Sequence, residues 1–127
     1  MITDIKDIEL LQGEIFKDVK GFENLYKVSN YGRVYSNNIN KLLQLDKSQG
    51  YVRVELWKKG VRHKHNVSRI VAEAFVEKPT EYTENKLEVH HINGNKKDNR
   101  ASNLAWVSKN IHTDIHNYLR EQDRAED

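Results

Sequence analysis

The chain has 127 residues, of which 37% are hydrophobic and 31% charged, with a formal net charge of +2 and no cysteine. That length suits one domain, or two very small lobes sharing a core. No apolar run approaches the roughly 20 residues that cross a bilayer, and the lack of cysteine excludes a disulfide scaffold, a thiol nucleophile and a cysteine-held zinc. The opening Met1–Asp7 has neither a basic n-region nor an apolar h-region, so the expected location is cytoplasmic, with no membrane partner.

Charge divides the chain into unlike parts. Residues 1–13 form an N-terminal extension with a balance of −2. Residues 14–78 hold thirteen basic and seven acidic side chains, a balance of +6, and residues 79–127 return to −2. A positive field confined to the middle of a chain is a candidate footprint for nucleic acid, because neutralising phosphates releases their condensed counterions.

The middle region reads as short strands between turn signals. Leu25–Ser29 and Arg33–Ser36 flank Asn30-Tyr31-Gly32. Tyr51–Trp57 alternates, with Val52, Val54 and Leu56 on one face. Lys58-Lys59-Gly60 is a turn, and Val61–Val67 returns with Arg62, Lys64 and Asn66 on one side. Ser68 is a candidate cap for a short helix over Arg69–Val76, whose apolar residues form one stripe. The expectation is an α+β fold: a small antiparallel sheet lobe with a short helix over residues 14–78, then a second unit beyond the proline-marked linker 79–86.

In that second unit Leu87–Ile92 reads as a strand, and Asn93-Gly94 opens a polar loop to Arg100. Leu104–Val107 is a second strand, and Ser108 begins a helix to about Arg120, followed by a tail over 121–127. Trp57 and Trp106 are expected in core or cross-strand packing.

Four of the six histidines fall in the last 38 residues. His90 and His91 are strand neighbours and point to opposite faces, while His112 and His116 share a face of the expected helix. One strand histidine and an i, i+4 helical pair can surround one metal ion, leaving the other strand histidine for chemistry. Imidazole suits zinc, nickel, copper and iron, whereas magnesium prefers oxygen.

The run Leu87-Glu88-Val89-His90-His91-Ile92-Asn93-Gly94-Asn95, followed by Asp98 to Ser108 and then His112, resembles the HNH nuclease family. Upstream, Glu14 to Val34 resembles the NUMOD type of nuclease-associated DNA-binding module, as does Arg69–Phe75. The pairing is similar to HNH homing endonucleases of phages and mobile introns. The resemblance implies a ββα-metal finger over residues 87–120, one divalent ion (Mg, Mn, Ni, Co or Zn) and double-stranded DNA as partner. It also implies hydrolysis to a 5′-phosphate and a 3′-hydroxyl.

Carried over residue by residue, the resemblance makes His91 the general base and Asn103 the asparagine that braces the loop and orients that base, with Asn99 the nearest alternative. His90 and His112 become metal ligands, and His116 resembles a further ligand of His-rich relatives. Such a nitrogen-rich set is expected to accept Mn²⁺, Co²⁺, Ni²⁺ or Zn²⁺. Arg33, Arg53, Lys58, Lys59, Arg62, Lys64 and Arg69, with His63 and His65 beside them, are the candidate DNA contacts of the basic lobe. Lys96, Lys97 and Arg100 are those of the loop. His63 and His65 have an equal claim to sheet packing. Relatives often continue into further helical modules, so recognition here is expected to be relaxed or to draw on a partner or a homodimer. The alternative reading is a DNA-binding module with a structural or inactive finger.

Overall fold

The computed structural model describes residues 8–79 and 87–108. Ser108, expected to begin the last helix, is instead the final residue of a strand; the rest of that expected helix, with His112 and His116, and nearly all of the expected linker lie outside the described residues.

Strands β1 (Phe16–Asp18), β2 (Tyr26–Ser29), β3 (Val34–Ser36) and β4 (Lys41–Leu42) form one antiparallel sheet in that order. Strands β2 and β3 are where alternation and turn residues predict them. Neither β1 nor β4 is legible beforehand, because two or three residues carry no period; their backbones are held by sheet neighbours. A hairpin follows, β5 (Arg53–Lys58) and β6 (Val61–Asn66), with Arg53 opposite Asn66 and Lys58 opposite Val61. Lys59 and Gly60 both have positive φ, 52° and 76°. Two such residues make the turn whose twist matches a two-residue hairpin.

The register sorts the hairpin faces. Val54 and Leu56 are buried and lie opposite His65 and His63. Both imidazoles pack edge-on against the Phe22 ring, with centroids 5.4 and 5.5 Å away. His65 is half-buried while His63 stays exposed, and burial, with a smaller contribution from His63, lowers the His65 pKa. Glu55, Trp57, Arg62 and Lys64 occupy the outer face. Trp57 is half exposed opposite Arg62, so of the two tryptophans only Trp106 is a core residue.

Helix α1 spans Val67–Phe75, two residues ahead of the expected start. Ser68 is not its cap: it is buried in the first turn, while Asn66 holds the N-cap position without a side-chain bond. Strand β6 passes directly into the helix because the Val67 N–H donates to the Val52 carbonyl at 2.9 Å and the Val67 side chain is fully buried. Core burial, rather than a capping hydroxyl, sets the helix start.

The last described unit is a second hairpin, β7 (Leu87–His91) and β8 (Leu104–Ser108), with His91 opposite Leu104. A single 3₁₀ turn, Ala101–Asn103, leads into β8. One apolar cluster joins Phe22 of the β1–β2 connection, Val28 and Val34 of the first sheet, Val54 and Leu56 of the hairpin, Ile70 and Val71 of α1, and Leu87, Leu104 and Trp106 of β7–β8. Trp106 is seated by its indole N–H, which donates to the Val76 carbonyl at 2.9 Å. The Arg69 guanidinium and Lys78 ammonium lie 4.8 and 4.9 Å from its ring centroid. The two hairpins and the sheet therefore share one core across α1. No helix among the described residues is long and apolar enough to cross a membrane.

Candidate active site

The β7–β8 hairpin carries a loop of asparagines, and hydrogen bonds explain why that residue type recurs. Asn103 is buried; its Oδ1 accepts from the Asn93 N–H at 3.0 Å. Its Nδ2 donates to Asn93 Oδ1 at 3.0 Å and to the Asp98 carbonyl at 2.9 Å. Asn93 Nδ2 donates onward to Asp98 Oδ2 at 3.0 Å. An amide side chain offers both donors and an acceptor, so one buried asparagine can close the two ends of a loop whose backbone has no strand partner. Asn103→Ala is expected to leave the Asn93 N–H and Asp98 carbonyl without these bonds and to cost about 2–3 kcal/mol. A thermal melt, with amide hydrogen exchange at Asn93, measures this; an unchanged Tm would contradict it.

His91 ends β7 and is only 6% exposed. Its Nε2 lies 2.8 Å from Oδ1 of Asn99, itself 6% exposed. An amide oxygen can only accept, so this contact selects the Nε2–H tautomer and leaves the lone pair on Nδ1. The two asparagines make different contacts. Asn103 braces the loop, and Asn99 touches the ring, because the chain between Asn93 and Asn103 folds back over His91 and presents Asn99 to it. Tyr51 lies on another side of the imidazole, with ring centroids 6.3 Å apart, and the Lys96 ammonium sits 4.9 Å from the Tyr51 centroid. Tyr51 follows Ser48-Gln49-Gly50, and no local signal marks it.

The expected metal ligands divide. His90 lies on β7, half-buried opposite Ala105. His112 and His116 are outside the described residues, and among the described residues no group of three or more histidines or carboxylates converges. Of the expected ligands His90 falls among the described residues, and its imidazole is a donor type that suits a divalent ion.

The basic residues expected to meet DNA have diverse fates. Arg33 is occupied internally. Its Nε donates to Glu14 Oε2 at 2.8 Å, its Nη2 to Glu14 Oε1, and the same Nη2 to the Glu9 carbonyl at 2.8 Å. Arg69 pairs with Glu73 as well as covering Trp106. Arg100 is clamped on Asp98 through Nε at 2.8 Å and Nη2 at 2.7 Å. That clamp pulls the Asp98 carboxyl down to about 2. Each of the three thus has a carboxylate partner within the fold, while the Arg100 side chain stays exposed. Lys58 Nζ donates to the Gly21 carbonyl at 2.7 Å. Lys59, Arg62, Lys64, Lys96 and Lys97 are exposed. Arg53 and Lys64 line a cavity of about 490 Å³ with Ile39, Asp46 and Trp57.

A strand ending in paired histidines, an asparagine-stitched loop and a return strand make up the described part of the site. By sequence, the NUMOD4 motif matches residues 14–57 and the HNH endonuclease family matches residues 65–113. The chain is 42% identical over 101 residues to DNA endonuclease I-HmuI of Bacillus phage SP01, covering 78% of this chain and 55% of that protein. It is 41% identical over 113 residues to an uncharacterised HNH endonuclease of Acanthamoeba polyphaga mimivirus, covering 85% of this chain and 28% of the relative. H-N-H endonuclease F-TflII of Escherichia phage T5 is 35% identical over 88 residues, covering 68% of this chain and 45% of that protein.

The fold agrees. A structure titled "DNA binding and cleavage by the HNH homing endonuclease I-HmuI" matches with a TM-score of 0.71 at 38% identity, covering 85% of this chain and 59% of that one. The chain belongs to the HNH endonuclease family, with a NUMOD4 module ahead of the HNH motif. It spans between about a quarter and just over half the length of these curated relatives. The HNH family generally uses a divalent metal.

Proposed function

We propose that this chain is a divalent-metal-dependent DNA endonuclease that hydrolyses phosphodiester bonds of double-stranded DNA, leaving a 5′-phosphate and a 3′-hydroxyl. The buried His91–Asn99 contact is the observation that carries the reading. A histidine held by its Nε2–H presents its Nδ1 lone pair as a proton acceptor.

In this reading His91 takes a proton from a water as that water attacks phosphorus in line. The P–O bond to the 3′ oxygen breaks, the electron pair departs with that oxygen, which takes a proton from solvent water to become the 3′-hydroxyl, and His91 returns its proton to solvent. Asn99 keeps the imidazole in one tautomer and one orientation throughout. Asn103 keeps the loop that carries Asn99 closed. His90, His112 and His116 would hold the ion, which when bound supplies charge stabilisation for the phosphate and the departing oxygen. Arg53, Lys58, Lys59, Arg62 and Lys64 of the β5–β6 hairpin, with Lys96 and Lys97 of the loop, would steer and hold the duplex backbone. Phosphate contacts of this kind position without specifying sequence. A single site cuts one strand, so cutting both requires two copies or two successive nicks.

The test uses supercoiled plasmid and metal-stripped protein with separate additions of Mg²⁺, Mn²⁺, Co²⁺, Ni²⁺ and Zn²⁺. Metal-dependent open circles support the proposal, and linear product reports paired cutting. Intact plasmid in every lane, with salt-sensitive DNA binding retained, would instead favour a DNA-binding module with a structural finger.

A further inference from the structure

The turn joining β2 to β3 lies in the upstream NUMOD4 module, yet it is built against the candidate active site. Asn30 uses all four of its polar groups. Its N–H donates to the Ile15 carbonyl at 3.1 Å, its Oδ1 accepts from the Ile15 N–H at 2.9 Å, and its Nδ2 donates to the Gly13 carbonyl at 3.1 Å. Its carbonyl accepts from the Ala101 N–H at 2.8 Å. Ser29 Oγ accepts from the N–H groups of Tyr31 and Arg33, both at 3.1 Å, which stiffens the turn.

Gly32, buried at the turn's apex with φ +89°, comes so close to the loop that a Cβ would stand 3.3 Å from Asn99 Cβ and 3.4 Å from the Asn99 carbonyl oxygen. Only a residue without a side chain combines that φ with that approach. The contacted residue is the one whose amide oxygen meets His91.

We propose that Gly32 is a positioning residue for the cleavage reaction: the Ser29–Arg33 turn presses on Asn99 and so holds the Asn99 amide on His91. The inference rests on the reading of His91 as general base. It makes the NUMOD4 module part of the machinery that sets the base, alongside any contact it makes with DNA.

A neighbour forced aside by a few tenths of an ångström displaces the Asn99 amide. Gly32→Ala is therefore expected to lower kcat for plasmid nicking about tenfold with KM unchanged. Gly21→Ala is the control, because Gly21 has a similar φ of +85° but nothing within 4 Å of its Cβ position. It carries the same backbone strain without the contact, so its Tm falls, by less than that of Gly32→Ala, while its kcat does not.

A second readout does not depend on activity. Ring ¹⁵N spectra of the protein are expected to show His91 as the Nε2–H tautomer in wild type and Gly21→Ala, and as a mixture in Gly32→Ala. A third uses the double substitution. In an Asn99→Ala background Gly32→Ala still lowers Tm, because the Cβ and carbonyl it meets remain, but it no longer changes kcat. Additive kcat losses, or equal kcat in Gly32→Ala and Gly21→Ala, would overturn the proposal. If His91→Ala and Asn99→Ala nick plasmid as fast as wild type, the base assignment itself fails; if they are slow and Gly32→Ala is not, only the role of the turn fails.

Discussion

His91→Ala is expected to nick supercoiled plasmid at least about 100-fold more slowly than wild type under every metal that supports cleavage. General bases contribute roughly 10²–10⁴-fold, because proton removal in the transition state otherwise falls to bulk water. The substitution also strands the Asn99 amide oxygen, so a stability loss of about 1–3 kcal/mol accompanies it. Assay temperature must therefore sit well below the Tm of the variant. His91→Gln keeps a donor for Asn99 but has no basic nitrogen, and is expected to regain Tm without regaining rate. Cleavage by either variant at near wild-type rate would refute the assignment of His91.

Glu14→Ala is expected to be the most destabilising single carboxylate substitution. The Glu14 side chain is fully buried, and its carboxylate accepts from Arg33 Nε and Nη2 and from the Leu11 N–H at 3.0 Å. Burial pushes its pKa up, but the bonds from Arg33 and Leu11 outweigh this and the net shift is downward. The same contacts raise the Arg33 pKa. Removing one partner leaves the other charge uncompensated in a largely buried position. The cost is about 3 kcal/mol, at the lower end for buried pairs because Arg33 keeps a quarter of its side chain exposed.

For a domain of this size that is a Tm decrease of at least about 10 °C. A paired replacement, Glu14→Leu with Arg33→Met, is expected to recover most of it, since buried apolar pairs avoid desolvation. The pH dependence has a definite sign. A carboxyl whose folded pKa is depressed stabilises fully above its unfolded value, about 4.3, and loses that contribution as pH falls through the folded value. The Tm gap between wild type and Glu14→Gln should thus be constant from pH 7 to about 5 and close below about 4. A gap independent of pH would show that the charge of Glu14 is not what holds Arg33.

Much of the site was legible because its signals are local. Alternation over Leu87–Ile92 puts His90 and His91 on opposite faces, Asn93-Gly94 turns the chain, and Leu104–Val107 brings it back; each rule acts within a few residues. The hairpin with Val54 and Leu56 inward was legible for the same reason. Residues whose meaning depends on a distant partner were not. The Arg33 guanidinium meets Glu14, 19 residues earlier, and the Arg69 guanidinium lies over Trp106; neither contact has a local signal.

The sequence by itself determined the class of this protein: an α+β chain whose histidines and asparagines fall in the order of an HNH motif behind a basic, strand-rich module. Tertiary structure alone decided which asparagine meets His91, which cations find a carboxylate within the fold, and that the Asn30–Gly32 turn abuts Asn99. The reason is physical. Period and turn chemistry are properties of neighbouring residues, whereas the counter-charge of a buried carboxylate and the closeness of one backbone to another arise only when segments far apart in the chain close on a common core.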